Sequence, residues 1–124
     1  MSEELWKLSA VKMAEGIRNR EFSCEEVVNS VTNRIQKLNP RLNAVVGDLN
    51  PTAVDEARKA DRELESKKAT GPLHGVPVTV KCNVDVEGQP TSNGLPAFAD
   101  LIASEDSPLV SLLKNAGAII IGRT

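Results

Sequence analysis

A lysine ends the apolar run Val76-Pro77-Val78-Thr79-Val80. Lys81 has two possible uses. An amine at the end of a strand can snorkel into water along its aliphatic stem. Held out of water, it becomes a neutral base able to take a proton from a nearby hydroxyl. The second use is demanding, because a free lysine titrates near about 10.4 and neutrality at pH 7 costs about 4 kcal/mol. Burial can supply that much. Strand alternation places Val76, Val78 and Val80 on one face and Pro77, Thr79 and Lys81 on the other. Pro77 suits the first position of such a strand better than its middle.

Other chemistry-bearing residues cluster around this lysine. Cys82 points to the opposite face and reads as a packed small residue rather than a reactive thiol. Asn83 and Asp85 follow the strand end, where they either hold the lysine loop through backbone hydrogen bonds or perform ordinary turn chemistry. Thr91, Ser92 and Asn93 form a polar loop that either faces a cleft or is structural. His74 is the one histidine of the chain. A Ser-His-Asp site would require it, but its turn-rich setting favours a hydrogen-bonded loop role. The closing GAIIIGRT imitates a phosphate-binding loop with Arg123 in place of lysine. A β-branched run favours a straight strand over the curled loop that phosphate binding needs.

The totals narrow the classes. The chain has 124 residues, 40% hydrophobic and 26% charged, with a net charge of −2. That length suits one ordinary domain, and the charge balance offers no electrostatic reason to bind nucleic acid or an anionic membrane. With one Trp, two Phe and no Tyr, the core must be aliphatic. One histidine and two separated cysteines leave no metal site of the usual four-ligand kind. The acidic start MSEELWKLSA is neither a signal peptide nor a membrane anchor. Free cysteines without an export signal point to a cytoplasmic location.

The elements that must carry these residues fall into two parts. Residues 1–70 read as mainly helical, and residues 71–124 as strand, loop, helix and strand. Apolar spacing predicts a helix over Leu8–Ile17. Ser23 with Glu26 forms a capping box for a second helix carrying Val27, Val28, Val31, Ile35 and Leu38, and Asn39-Pro40 should end it. Leu42–Val46 reads as a short strand. Asn50 reads as an N-cap with Pro51 at the first position of a third helix, whose start carries Asp55 and Glu56 and whose end carries Lys67 and Lys68. Ser107-Pro108 caps a last helix containing Leu109, Val110, Leu112 and Leu113. Ala118–Ile121 then reads as a buried strand. Together these predict an α/β fold: N-terminal helices, then the first strands of a mixed, mostly parallel sheet with helices on both faces. Ending at Ile121-Gly122-Arg123-Thr124, directly after such a strand, the sheet is expected to continue in further polypeptide or in a partner chain.

The stretch GPLHGVPVTVKCNVD, residues 71–85, closely resembles the segment around the catalytic lysine of amidase signature enzymes. LNAVVGDL upstream, PTSNG at Pro90–Gly94, and the segment from Ser107-Pro108-Leu109-Val110 through GAIIIGRT are similar to further motifs of that family, in order and over essentially the whole chain. Where many members have Asp, this chain has Cys82. The resemblance implies a serine-dependent amidohydrolase acting on a small amide, without a metal or organic cofactor. Its triad joins a nucleophilic serine, a serine in a cis peptide, and a lysine that falls on Lys81 as general base. Thr91, Ser92, Asn93 and Gly94 would face the substrate. The family's Gly/Ser-rich segment, source of both serines and the oxyanion amides, has no counterpart here, so these residues alone are expected to be inert. Two rivals stand beside this reading: a non-catalytic binding or scaffold module, and one subunit of a split amidase. An open sheet edge and exposed apolar surface would favour a homo-oligomer or association with the rest of an enzyme.

Overall fold

The computed structural model describes residues 2–47, 49–68 and 70–124. A 3-10 helix, Ser2–Lys7, precedes α1, Ala10–Arg18. The predicted start at Leu8 moves inward because Ser9 caps the helix, its Oγ accepting from the Lys12 N–H. Met13, Ala14 and Ile17 lie on its buried face.

The capping box at Ser23 is present. Its Oγ accepts from the Glu26 N–H at 3.1 Å, and the Glu26 carboxylate accepts from the Ser23 N–H at 2.8 Å. It opens α2, Cys24–Leu42. This helix runs past the expected stop and holds Pro40 in its final turn. A proline so near the end removes one backbone donor, and closure comes from Asn43 in the left-handed conformation (φ 48°), its N–H donating to Asn39 O at 2.7 Å. The Asn39 side chain then clasps Val45, donating to its carbonyl at 2.8 Å and accepting from its N–H at 2.9 Å. These two devices use up the segment read as a strand. Of it, only Val46 pairs with a strand, in an isolated antiparallel bridge to Arg123.

The third helix, α3 (Ala53–Glu65), also starts later than expected, after a turn at Pro51-Thr52. Asn50 is not its N-cap. The Asn50 side chain accepts from the Thr52 N–H at 3.0 Å and donates to Ile120 O at 2.7 Å. It therefore ties the entry of α3 to the second strand. Farther along, the Asp61 carboxylate accepts from the Cys24 and Glu25 N–H groups at 2.7 and 3.1 Å. An acidic group on α3 thus satisfies orphan donors at the start of α2.

β1, Pro77–Val80, and β2, Ile119–Arg123, pair in parallel, with Pro77 opposite Ile119 and Val80 opposite Arg123. The register slips by one residue between Val78 and Thr79. Pro77 occupies the first position of its strand, where a missing donor is tolerated. The crossover contains α4, Pro108–Asn115, capped by Ser107 Oγ accepting from the Val110 N–H. Every residue of β2 is buried. Ile119 and Ile121 join Ile17, Val27, Val28, Ala57 and Val76 in the larger core, while Ile120 joins Val80, Val86 and Val110 in a smaller one. Alternation along β2 thus sends side chains to the helical half on one face and to α4 on the other, and the α/β architecture expected from the sequence is realised. Of the four apolar residues expected to anchor α4, only Val110 is buried.

The turn at residues 71–75 docks on the end of α4. Leu73 N–H donates to Ala116 O at 2.8 Å and Gly75 N–H to Gly117 O at 2.9 Å. Gly117 adopts φ +94°, and a Cβ there would lie 2.7 Å from His74 Cα. Gly117→Ala combines a disfavoured backbone with a backbone clash. It should lower stability by about 2–3 kcal/mol, seen as a lower denaturant midpoint with unchanged m-value.

Candidate active site

Lys81 is the first residue beyond β1, at the carboxyl end of the strand, and its side chain is exposed. The chain continues in register for one more step, with Cys82 N–H donating to Thr124 O at 2.8 Å. It then turns, Val84 N–H donating back to Lys81 O at 3.0 Å. Asn93 N–H donates to Cys82 O at 3.1 Å and brings the PTSNG loop beside the lysine segment. The lysine segment and the PTSNG loop singled out in the sequence therefore meet at one end of the sheet.

Their roles divide. Thr91 is half-buried and its hydroxyl donates to the Asp85 carboxylate, so the pair braces the loop. Asp85 also fixes the entry to α4 through its carbonyl, which accepts from the Ser107 N–H at 3.0 Å. Ser92 is half-buried, its Oγ accepts from the Gly94 N–H, and it lines a groove of about 450 Å³ with Val46, Leu49, Cys82, Pro90 and Arg123. Asn93 and Gly94 are exposed at a turn where both take positive φ, 48° and 75°. Cys82 is partly buried at the groove wall.

The residue that sequence reasoning undervalued is Arg123. It is buried at the end of β2. Its Nε donates to Val80 O at 3.1 Å, and Nη2 to Lys81 O at 3.2 Å and Val84 O at 2.6 Å. Nη1 donates to the Gln89 side chain at 3.3 Å and Pro90 O at 3.4 Å. All five acceptors are neutral oxygens. Burial holds the guanidinium below its usual value, with nearby Asp85 acting in the opposite sense, and it stays charged regardless. One signal was available: a cation closing a continuous apolar strand must find acceptors inside the fold.

Two reactive-looking side chains lie elsewhere. His74 is buried, with Nε2 2.8 Å from Ala60 O, which requires that nitrogen to donate. This is the hydrogen-bonded loop role expected of it. Cys24 is fully buried against the Gly75 turn. Burial, reinforced by Asp61, pushes its thiol far above the ordinary range, which makes it inert packing.

The geometry defines an α/β protein with a lysine-bearing polar loop at the carboxyl end of its parallel strands. The amidase family model matches residues 26–124. The chain is 48% identical over 120 residues to an indoleacetamide hydrolase from Bradyrhizobium diazoefficiens, covering 97% of this chain and 23% of that protein. It is 38% identical over 131 residues to human fatty-acid amide hydrolase 2, covering 100% of this chain and 25% of the relative. Among solved structures, the peptide amidase of Stenotrophomonas maltophilia superposes with a TM-score of 0.85 at 33% identity, over 94% of this chain and 24% of that one. The chain belongs to the amidase family. It spans about a quarter of the length of these curated relatives.

The loop between the site and α4 rests on Asp106. Its carboxylate accepts from the Glu87 N–H at 2.8 Å and from Lys114 Nζ at 2.7 Å. The Lys114 ammonium and the Glu87 amide hold Asp106 below the usual carboxylate range. A folded-state value lowered in this way stabilises above the ordinary carboxylate range and ceases to do so as pH falls through the lowered value. Asp106→Asn should therefore cost about 0.5–1.5 kcal/mol at pH 7. Unfolding of the two proteins followed from pH 7 to pH 2 should show the difference closing on the acid side.

Proposed function

We propose that this chain is the N-terminal segment of an amidohydrolase that cleaves carbon–nitrogen amide bonds, with Lys81 as its general base. The observation that carries this reading is the placement of Lys81. It stands at the carboxyl end of a parallel strand, where open α/β sheets bind ligands, exposed and beside the PTSNG loop. The activities for which its relatives are named, hydrolysis of indoleacetamide and of fatty-acid amides, support a small amide as substrate. Thr91, Ser92, Asn93 and Gly94 form the side of the cleft that this chain contributes.

In the proposed reaction a second segment, rich in glycine and serine, supplies two serines and the oxyanion amides. Lys81 in its neutral form takes the proton of the bridging serine, which takes that of the nucleophilic serine. The serine oxygen attacks the amide carbonyl, and the departing nitrogen leaves as an amine carrying the returned proton. Water then releases the acyl group by the same relay. Closing the second segment over Lys81 would strip water from the amine, which favours its neutral form. Leu101, Ile102, Leu109 and Leu112 are 55–68% exposed. This apolar surface supports association with the remainder of an amidase fold or with a second copy.

The test uses the polypeptide that carries this chain together with the Gly/Ser-rich segment. Lys81→Ala should lower kcat/KM on a small amide by on the order of 10³–10⁴-fold. A serine-directed phosphonate should label that second segment and none of the serines described here. Undiminished turnover by Lys81→Ala, or labelling of a serine within this chain, would overturn the reading.

A further inference from the structure

We propose that Arg123 is the positioning residue of Lys81: its buried guanidinium holds the carbonyls on both sides of the lysine loop and affects turnover only through that lysine. The proposal rests on Lys81 acting as base. Strand pairing continues for one step past Val80, with Thr124 N–H donating to Val80 O and Cys82 N–H donating to Thr124 O, before the loop turns away from β2. Arg123 adds a side-chain restraint from the neighbouring strand. Nε grips Val80 O, the residue before Lys81, while Nη2 grips Lys81 O itself and Val84 O, where the turn is completed. Nη1 reaches the returning strand of the loop at Gln89 and Pro90.

A planar guanidinium presents these donors in a rigid fork, so the five oxygens are fixed relative to one another as well as to β2. An ammonium group would offer donors from one point and could not span both ends of that fork. Arg123 is buried at the groove wall, and all three of its guanidinium nitrogens donate to oxygens of the loop, which suits a support.

The experiment is a double-mutant cycle in the polypeptide that carries this chain and the Gly/Ser-rich segment, with backbone hydrogen exchange as a second readout. Arg123→Met keeps an unbranched apolar stem and removes every donor. It should lower kcat by roughly 10–100-fold, as small misplacements of catalytic groups do, while KM changes by less than about threefold. Arg123→Lys should recover part of the loss. In a Lys81→Ala background, Arg123→Met should cost nothing further, because the two act as a unit.

Exchange at the Cys82, Val84 and Asn93 amides should accelerate by on the order of tenfold in Arg123→Met. Should Arg123→Met fail to fold, Arg123→Lys carries both measurements, with smaller changes of the same sign. Equal kcat losses in the two Lys81 backgrounds, or unchanged exchange at the three amides, would overturn this proposal and leave the lysine reading intact. Full turnover by Lys81→Ala would overturn both.

Discussion

A positive charge set among neutral oxygens joins the sheet to the lysine loop. Taking a guanidinium out of water costs several kcal/mol. Hydrogen bonds to a charged group return about 1.5–3 kcal/mol each, so one or two would leave Arg123 a burden on the fold. Five acceptors, drawn from Val80, Lys81, Val84, Gln89 and Pro90, make the placement tolerable. The reverse also holds. The stretch from Val80 to Pro90 has little regular structure of its own, and its carbonyls converge because one fixed fork gathers them. Local order near the site therefore depends on a contact between residues about forty positions apart.

That contact in turn requires β2 to be immobile, and the helical half provides this. Ile119 and Ile121 pack into the core formed with Ile17, Val27, Val28 and Ala57. Asn50 ties the entry of α3 to Ile120 and Ile121 through its side chain and its N–H. Asp61 then binds α3 to the first turn of α2. On the other side, Gly71 and Gly117 let the turn before β1 lie directly on the turn before β2. The two strands are thus held at their entrances by close glycine packing and at their exits by Arg123. Removing either end would loosen a parallel pair only four or five residues long.

Elements with one strong local cause could be read from the sequence. The Ser23–Glu26 box, the Ser107-Pro108 cap and the β-branched run at Ile119–Ile121 all appear where their chemistry puts them. The errors occur where a side chain acts over more than one turn. Asn39 and Asn43 convert the segment after α2 into a clasp, which erased the strand expected at Leu42–Val46. Asn50 serves β2 instead of capping α3. The site followed the same division. Lys81 and the PTSNG loop were visible as motifs, and their meeting at the end of β1 follows from strand direction. Arg123 was visible only as a misfit in a phosphate-loop imitation, because the oxygens it binds are backbone groups, and backbone groups leave no mark on a sequence.

On the function proposed for Lys81, positioning and activation of the amine are separate problems with separate sources. Position is a local property: the end of β1, the turn closed by Val84 N–H on Lys81 O, and the guanidinium beneath it all belong to this chain. Neutrality is a property of solvent, and the exposed side chain of Lys81 shows that these residues do not exclude it. On that proposal, a base positioned by one segment is desolvated by another. A segment that covered both Lys81 and the exposed Leu101, Ile102, Leu109 and Leu112 would gain hydrophobic burial as it dried the lysine.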